Sequence, residues 1–202
     1  RAMTMGGREV KLARHGFARK QEWKLEKQSD NMVALSLSSA DHAELLEQYP
    51  YPFKIVARYT IDSEKVAVSY EVTNEGIEDM PFFVGGHPGF KCPLDEGESY
   101  DDYELRFDQR EATELCTAVP STGLIDVEHR SKNPMVGHDL PLTHELFDFA
   151  ETIFDVLESH VVTLTKKTED KGVRLTFPDM PYLIVWSKPE GDFVAVEPWG
   201  GL

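Results

Sequence analysis

Alternation of apolar and polar residues is the strongest signal along the chain. It runs through residues 33–37, 53–61 and 65–72, then through 104–107, 161–164, 173–177, 182–186 and 193–197. A period of two sends successive side chains to opposite faces of a pleated strand, so each segment predicts a strand with one buried face. Turn chemistry separates these segments: Ile61-Asp62-Ser63-Glu64 is short enough for a hairpin, Asn74-Glu75-Gly76 breaks the pattern, and Pro189-Glu190-Gly191-Asp192 joins the last two strands. Neighbouring strands are therefore expected to pair. Many short strands at regular spacing predict an all-β chain, folded as an antiparallel sandwich or barrel.

Helical signals are few. Residues 40–48 follow Ser39 as a candidate N-cap, and residues 144–149 follow Thr143; both read as short surface connections. Residues 126–139, with Asn133-Pro134 and Gly137, form the most loop-like stretch, yet they are too short and too mixed in composition for a linker. With no internal repeat, residues 1–202 are expected to form a single domain. The chain enters at Arg1 on what reads as mid-domain sequence, so the N-terminal portion of that domain is expected to lie upstream.

Composition narrows the possible partners. A hydrophobic fraction of 41% against 28% charged residues supplies a sizeable core. The net charge of −15 repels a phosphate backbone, and no Lys/Arg cluster interrupts it, so no nucleic-acid partner is expected and a neutral small molecule fits better. Cys92 and Cys116 are too few for a disulfide scaffold and read as ordinary thiols of a reducing cytoplasm. No apolar run approaches the roughly 20 residues of a membrane helix, and the first residues lack a signal peptide's apolar stretch. A cytoplasmic protein without a membrane partner is the expectation.

Three segments join a reactive side chain to small, rigid or aromatic neighbours: residues 14–19 (Arg-His-Gly-Phe-Ala-Arg), 85–90 (Gly-Gly-His-Pro-Gly-Phe) and 196–201 (Val-Glu-Pro-Trp-Gly-Gly). In the second, the glycines and Pro88 would hold His87 at a strand end with little freedom, which suits a general acid. The segment reads equally as a tight turn with an idle, exposed histidine. In the third, Glu197 ends an apolar alternating strand. Desolvation there would raise its proton affinity toward that of a general base, while the indole of Trp199 or Trp186 offers a platform for the apolar face of a sugar. A solvent-facing Glu followed by a core Trp is the commoner situation. His15, between Arg14 and Gly16 with Arg19 nearby, is suited to a hydrogen bond with a sugar oxygen, or else marks a surface turn. The other histidines lack metal-ligand spacing, no phosphate-cradling glycine loop or nucleophile elbow is present, and no metal is expected.

Taken in order, residues 14–19, 80–90 (Met-Pro-Phe-Phe-Val-Gly-Gly-His-Pro-Gly-Phe) and 193–199 (Phe-Val-Ala-Val-Glu-Pro-Trp) resemble the aldose 1-epimerase family, particularly its lactose-operon-associated branch. Supporting matches are Tyr51-Pro52-Phe53, Val72-Thr73-Asn74, Cys92-Pro93-Leu94 and residues 181–186, so the likeness runs over nearly the whole chain. The resemblance implies a β-sandwich of the galactose mutarotase type and conversion between α and β anomers of a free hexose without a cofactor. It implies that Glu197 takes the proton of the anomeric hydroxyl, that His87 protonates the ring oxygen, and that His15 polarises that oxygen. Arg14, Arg19, Phe90, Trp186 and Trp199 are the expected substrate contacts around them.

Two departures stand out. The family's arginine upstream of the His-Gly motif precedes the start of this chain. The aspartate that members of the branch carry after Leu146-Phe147 is replaced by a segment in which Asp148 or Glu151 takes its place, or hydroxyl specificity differs. A carbohydrate-binding or sugar-sensing protein that has lost turnover and an epimerase of sugar phosphates are the competing readings; for the latter the local cations are Arg14, Arg19 and Lys91. The chain is expected to act as a monomer or homodimer.

Overall fold

Every segment singled out by its alternation forms a strand in the computed structural model, which describes residues 2–119, 121–148 and 150–202. The chain divides into two compact units, Arg1–Phe82 and Phe83–Leu202.

In the first unit, β1 (Ala2–Met5) and β2 (Arg8–Lys11) make a hairpin. Its two turn residues, Gly6 and Gly7, both have positive φ (53° and 79°), the backbone that a two-residue turn joining right-twisted strands requires. Then β3 (Lys24–Ser29), β4 (Met32–Ser38), β5 (Phe53–Asp62) and β6 (Lys65–Asn74) form an antiparallel meander in chain order. Val10, Leu37, Leu45, Tyr49, Tyr51 and Phe53 are the buried core. The phenols of Tyr49 and Tyr51 stay satisfied inside it by donating to the carbonyls of Pro81 (2.7 Å) and Met5 (2.6 Å).

The second unit is a sandwich. Its strands are β7 (Gly89–Lys91), β8 (Tyr103–Phe107), β9 (Leu115–Val119), β10 (Leu124–Ser131), β11 (Asp139–Pro141), β12 (Thr152–Phe154), β13 (Val161–Lys166), β14 (Gly172–Thr176), β15 (Tyr182–Trp186) and β16 (Phe193–Trp199). One sheet has the order β10-β9-β12-β15-β16-β7 and the other β11-β8-β13-β14. The apolar positions of the two sheets meet in one cluster: Leu105, Phe107, Val162 and Leu164 from the smaller sheet, with Phe154, Leu183, Val185, Val194 and Val196 from the larger. The strand pairings of both units are antiparallel, in agreement with the expected fold class.

Three local expectations need correction. The segment after Ser39 forms only a short 3-10 turn, Ala43–Glu47, led by His42 with no side-chain cap. Ser39 is instead buried, and its hydroxyl accepts the Phe53 N–H (3.0 Å), so a partner in the sheet has outcompeted the capping role. The second segment is a 3-10 turn at His144–Phe147, with Thr143 accepting the Leu146 N–H as expected (3.3 Å); Phe149 lies outside the described residues. Among the described residues no helix is long and apolar enough to cross a membrane.

The loop-like stretch 126–139 contains residues 126–131 of β10 and reaches β11. Polar tethers order it. Arg130 forms a two-pronged pair with Asp155 (2.9 and 2.6 Å) and donates to the Glu114 carbonyl (2.7 Å), while the Asn133 amide donates to the carbonyls of Glu111 and Thr113 (both 2.9 Å). Such bonds leave no trace in a hydrophobic pattern.

The Arg130 guanidinium holds the Asp155 carboxyl below the usual carboxylate range. A depressed folded-state value means that this pair stabilises the fold above the pKa of the unfolded chain and is lost as pH falls through the folded one. Arg130→Gln is therefore expected to cost about 1–3 kcal/mol at pH 7. In urea denaturation the gap between variant and parent should narrow below about pH 5; a gap independent of pH would show that the pair is not the tether.

Candidate active site

Alternation along β16 decides which side chains face which way. Val194 and Val196 enter the sandwich core, so Ala195 and Glu197 stand on the opposite face. Cross-strand register extends that face into a row. Glu197 lies opposite Ile184 of β15, Ile184 opposite Ile153 of β12, and Ile153 opposite Cys116 of β9. On the other side of β16, Ala195 pairs with Gly89 of β7 and the Val196 N–H donates to the Pro88 carbonyl (3.1 Å). Continuing that register sets His87 against Glu197.

The side chains meet there: His87 Nδ1 is 3.0 Å from Glu197 Oε1. Glu197 is almost wholly buried, its side chain 3% exposed, while that of His87 is 45% exposed. A carboxylate taken this far from water is tolerated only with a strong hydrogen-bond partner, which the imidazole supplies. With Nδ1 directed at the carboxylate, proton exchange with a ligand falls to Nε2. A buried proton acceptor thus adjoins a donor that reaches solvent.

Aromatic residues flank the pair. The rings of His87 and Trp186 lie edge to face with centroids 6.4 Å apart, and Trp186 packs in turn on Phe193 at 5.6 Å. Trp199 stands opposite Tyr182 and packs against the buried cluster of Cys116, Ile153 and Ile184. The second unit thus gathers His87, Glu197, Trp186 and Trp199.

The remaining candidates are placed differently. Phe90 pairs with Val194 and packs on the sandwich core, so it braces β7 from the face opposite Glu197. Asp148 is exposed and ends the 3-10 turn at His144–Phe147. Glu151 immediately precedes β12 and lines, with Thr117, Lys132, Thr152 and others, a cleft of about 260 Å³. Arg14, His15 and Arg19 belong to the first unit, and all three are exposed. His15 and Gly16 have φ of 64° and 63°, a left-handed turn that the buried-side contact of Phe17 with Phe53 (5.5 Å between centroids) secures on one flank. A non-glycine residue in that region is uncommon, histidine being among the types that enter it most readily.

Ile184, Ile153 and Cys116 are the neighbours that reading the sequence left out of the site. The hairpin signal at residues 189–192 was the available clue, since pairing across it aligns Ile184 with Glu197.

A family model described as aldose 1-epimerase matches residues 5–201. Among curated relatives, Protein LacX of Lactococcus lactis subsp. lactis is 39% identical over 193 residues, covering 95% of this chain and 64% of its own length. A galactose mutarotase-like protein from Lactobacillus casei superposes with a TM-score of 0.82 at 30% identity, over 100% of this chain and 68% of that one. A galactose mutarotase related enzyme from Lactobacillus acidophilus gives 0.83 at 25% identity, over 100% and 66%. The chain therefore spans just under two thirds of the curated relatives it matches.

Burial pushes the thiol of Cys116, on the face that carries Glu197, up to about 11, and that of Cys92 up to about 12. Both cysteines are free and buried, and the thiolate is the reactive form. Ellman's reagent at pH 8 is expected to leave the native protein unmodified over minutes and to titrate both thiols once urea is added; rapid modification of the native protein would show that this face is open to solvent at Cys116.

Proposed function

The chain belongs to the aldose 1-epimerase family, and on that premise we propose that it interconverts the α and β anomers of a free hexose, of the galactose or glucose class, by acid–base opening of the ring. The 3.0 Å contact of His87 with the buried Glu197 is the observation that carries the proposal. The family match runs through both units, which supports reading them as parts of one domain.

In the proposed mechanism Glu197 removes the proton of the C1 hydroxyl while His87 delivers the Nε2 proton to the ring oxygen. The C1–O5 bond breaks and C1 becomes a carbonyl carbon. Rotation about C1–C2 presents the other carbonyl face to the O5 hydroxyl. On closure that hydroxyl returns its proton to His87, and the new C1 hydroxyl takes one from Glu197, so both groups end as they began. Charge on the two residues changes in opposite senses, and their shared hydrogen bond lets each offset the other.

The roles of His15 in polarising the ring oxygen and of Arg14 and Arg19 as substrate contacts rest on the family resemblance of residues 14–19 alone. Trp186 and Trp199 take the apolar C–H face of the sugar. Asp148 or Glu151 contacts a hydroxyl remote from C1. The reaction as written needs no cofactor.

Polarimetry or proton NMR on freshly dissolved α-D-galactose and α-D-glucose tests this. The protein is expected to speed the approach to anomeric equilibrium. Glu197→Gln keeps the shape but removes the base, and should lower kcat about 10²- to 10⁴-fold with KM within about threefold. Full activity in that variant would remove Glu197 from the chemistry, and sugar binding without acceleration by the parent protein would mark a sugar-binding protein instead.

A further inference from the structure

Gly85 and Trp199 face each other two pairs along the ladder from His87 and Glu197, with Gly86 and Pro198 between. The Gly86 N–H donates to the Pro198 carbonyl (3.0 Å) and the Gly200 N–H to the Val84 carbonyl (2.7 Å). These two bonds bracket the Gly85–Trp199 pair. A pair bracketed in this way has the shorter of the two antiparallel Cα separations, about 4.5 Å, and its side chains stand closest. A Cβ on Gly85 would lie 2.6 Å from Cδ1 and 2.9 Å from Cγ of the Trp199 indole, and 3.1 Å from the Pro198 carbonyl oxygen. The indole occupies the volume that any side chain at position 85 would need.

Conformation is not the reason for this glycine. Gly85 is absent from the residues with positive φ, so other residues could adopt its backbone. What it supplies is space.

We propose that Gly85 is a positioning residue for sugar binding: having no side chain, it lets the Trp199 indole lie against residues 84–86, at the level where a pyranose held by Glu197 presents its C–H face. The inference rests on the sugar-epimerase reading above. Side chains two residues apart on one strand stand about 6.7 Å apart, about the span of a single sugar ring, so a ring with its C1 at Glu197 reaches the level of Trp199. Aromatic residues laid over glycines on a neighbouring strand also stabilise sheets, and a purely structural role would change stability without touching substrate affinity.

Gly85→Ala separates the two. Displacing the indole is expected to raise KM for the hexose about threefold to tenfold, the size of one ring contact, with kcat within about twofold because His87 and Glu197 keep their pairing. Against a Trp199→Leu background the same substitution should add nothing further to KM, since Gly85 acts through the indole. Gly201→Ala is the control. Its Cβ would crowd the ring of Phe83, 2.0 Å from Cδ1, and KM should stay within about twofold.

Near-ultraviolet circular dichroism reads the indole without any catalysis. Gly85→Ala should change the tryptophan bands in the parent and leave them unchanged in the Trp199→Leu background. An unmoved spectrum overturns the positioning role. So do an unchanged KM, an equal KM rise in the Trp199→Leu background, and an equal rise from Gly201→Ala. If the parent protein accelerates no mutarotation, the epimerase reading fails, and the spectra alone then decide whether Gly85 sets the indole.

Discussion

The register of β16 against its neighbours fixes everything at the candidate site. Because the side-chain period of a strand is two, a slip of one residue would turn Glu197 into the sandwich and Val196 out of it. The slipped state would bury a charge beside Leu183 and Val185 without a partner, a loss far larger than that of any single apolar contact. The correct register is held from both ends. At the hairpin, the Ser187 hydroxyl donates to the Phe193 carbonyl (2.7 Å) and the Gly191 N–H to the Lys188 carbonyl (3.0 Å). At the far end, the ladder of residues 84–86 continues the pairing beyond β7.

Packing and chemistry are thereby coupled. The face of β16 that fills the core with valines leaves the opposite face to carry a carboxylate, and the strand that closes the sheet edge brings that carboxylate its imidazole. The pair also runs from interior to surface. Glu197 sits where a charge is strongly felt, and His87 sits where it can exchange protons with a ligand or with water.

The sequence made most of the fold legible wherever apolar and polar residues alternate between turn signals. The hairpin of β5 and β6 and the pairing of β15 with β16 follow directly from alternation and turn chemistry. Strands without that contrast escaped. β12 is three residues long and buried at every position, so it has no period to read. β3 is exposed throughout. β10 packs Ile125 on the buried cluster, but its far end is tied down by Arg130 and Asp155. At the site, the glycines around His87 and the end of an apolar strand at Glu197 were visible as separate features. Their meeting was not, because it depends on two segments more than a hundred residues apart settling into one ladder. The row through Ile184, Ile153 and Cys116 depends on three more pairings of the same kind.

His87 and Glu197 are mounted on the edge of one sheet, whereas Asp148 and Glu151 lie in the connection that leads to β12. On the proposed function, the steps that move protons and the contacts that choose among hydroxyls are carried by structurally separate parts of the chain. Ladders resist insertion, while connections accept it. Descendants of such a scaffold would be free to explore new sugars by editing one short connection, with the reaction itself inherited unchanged.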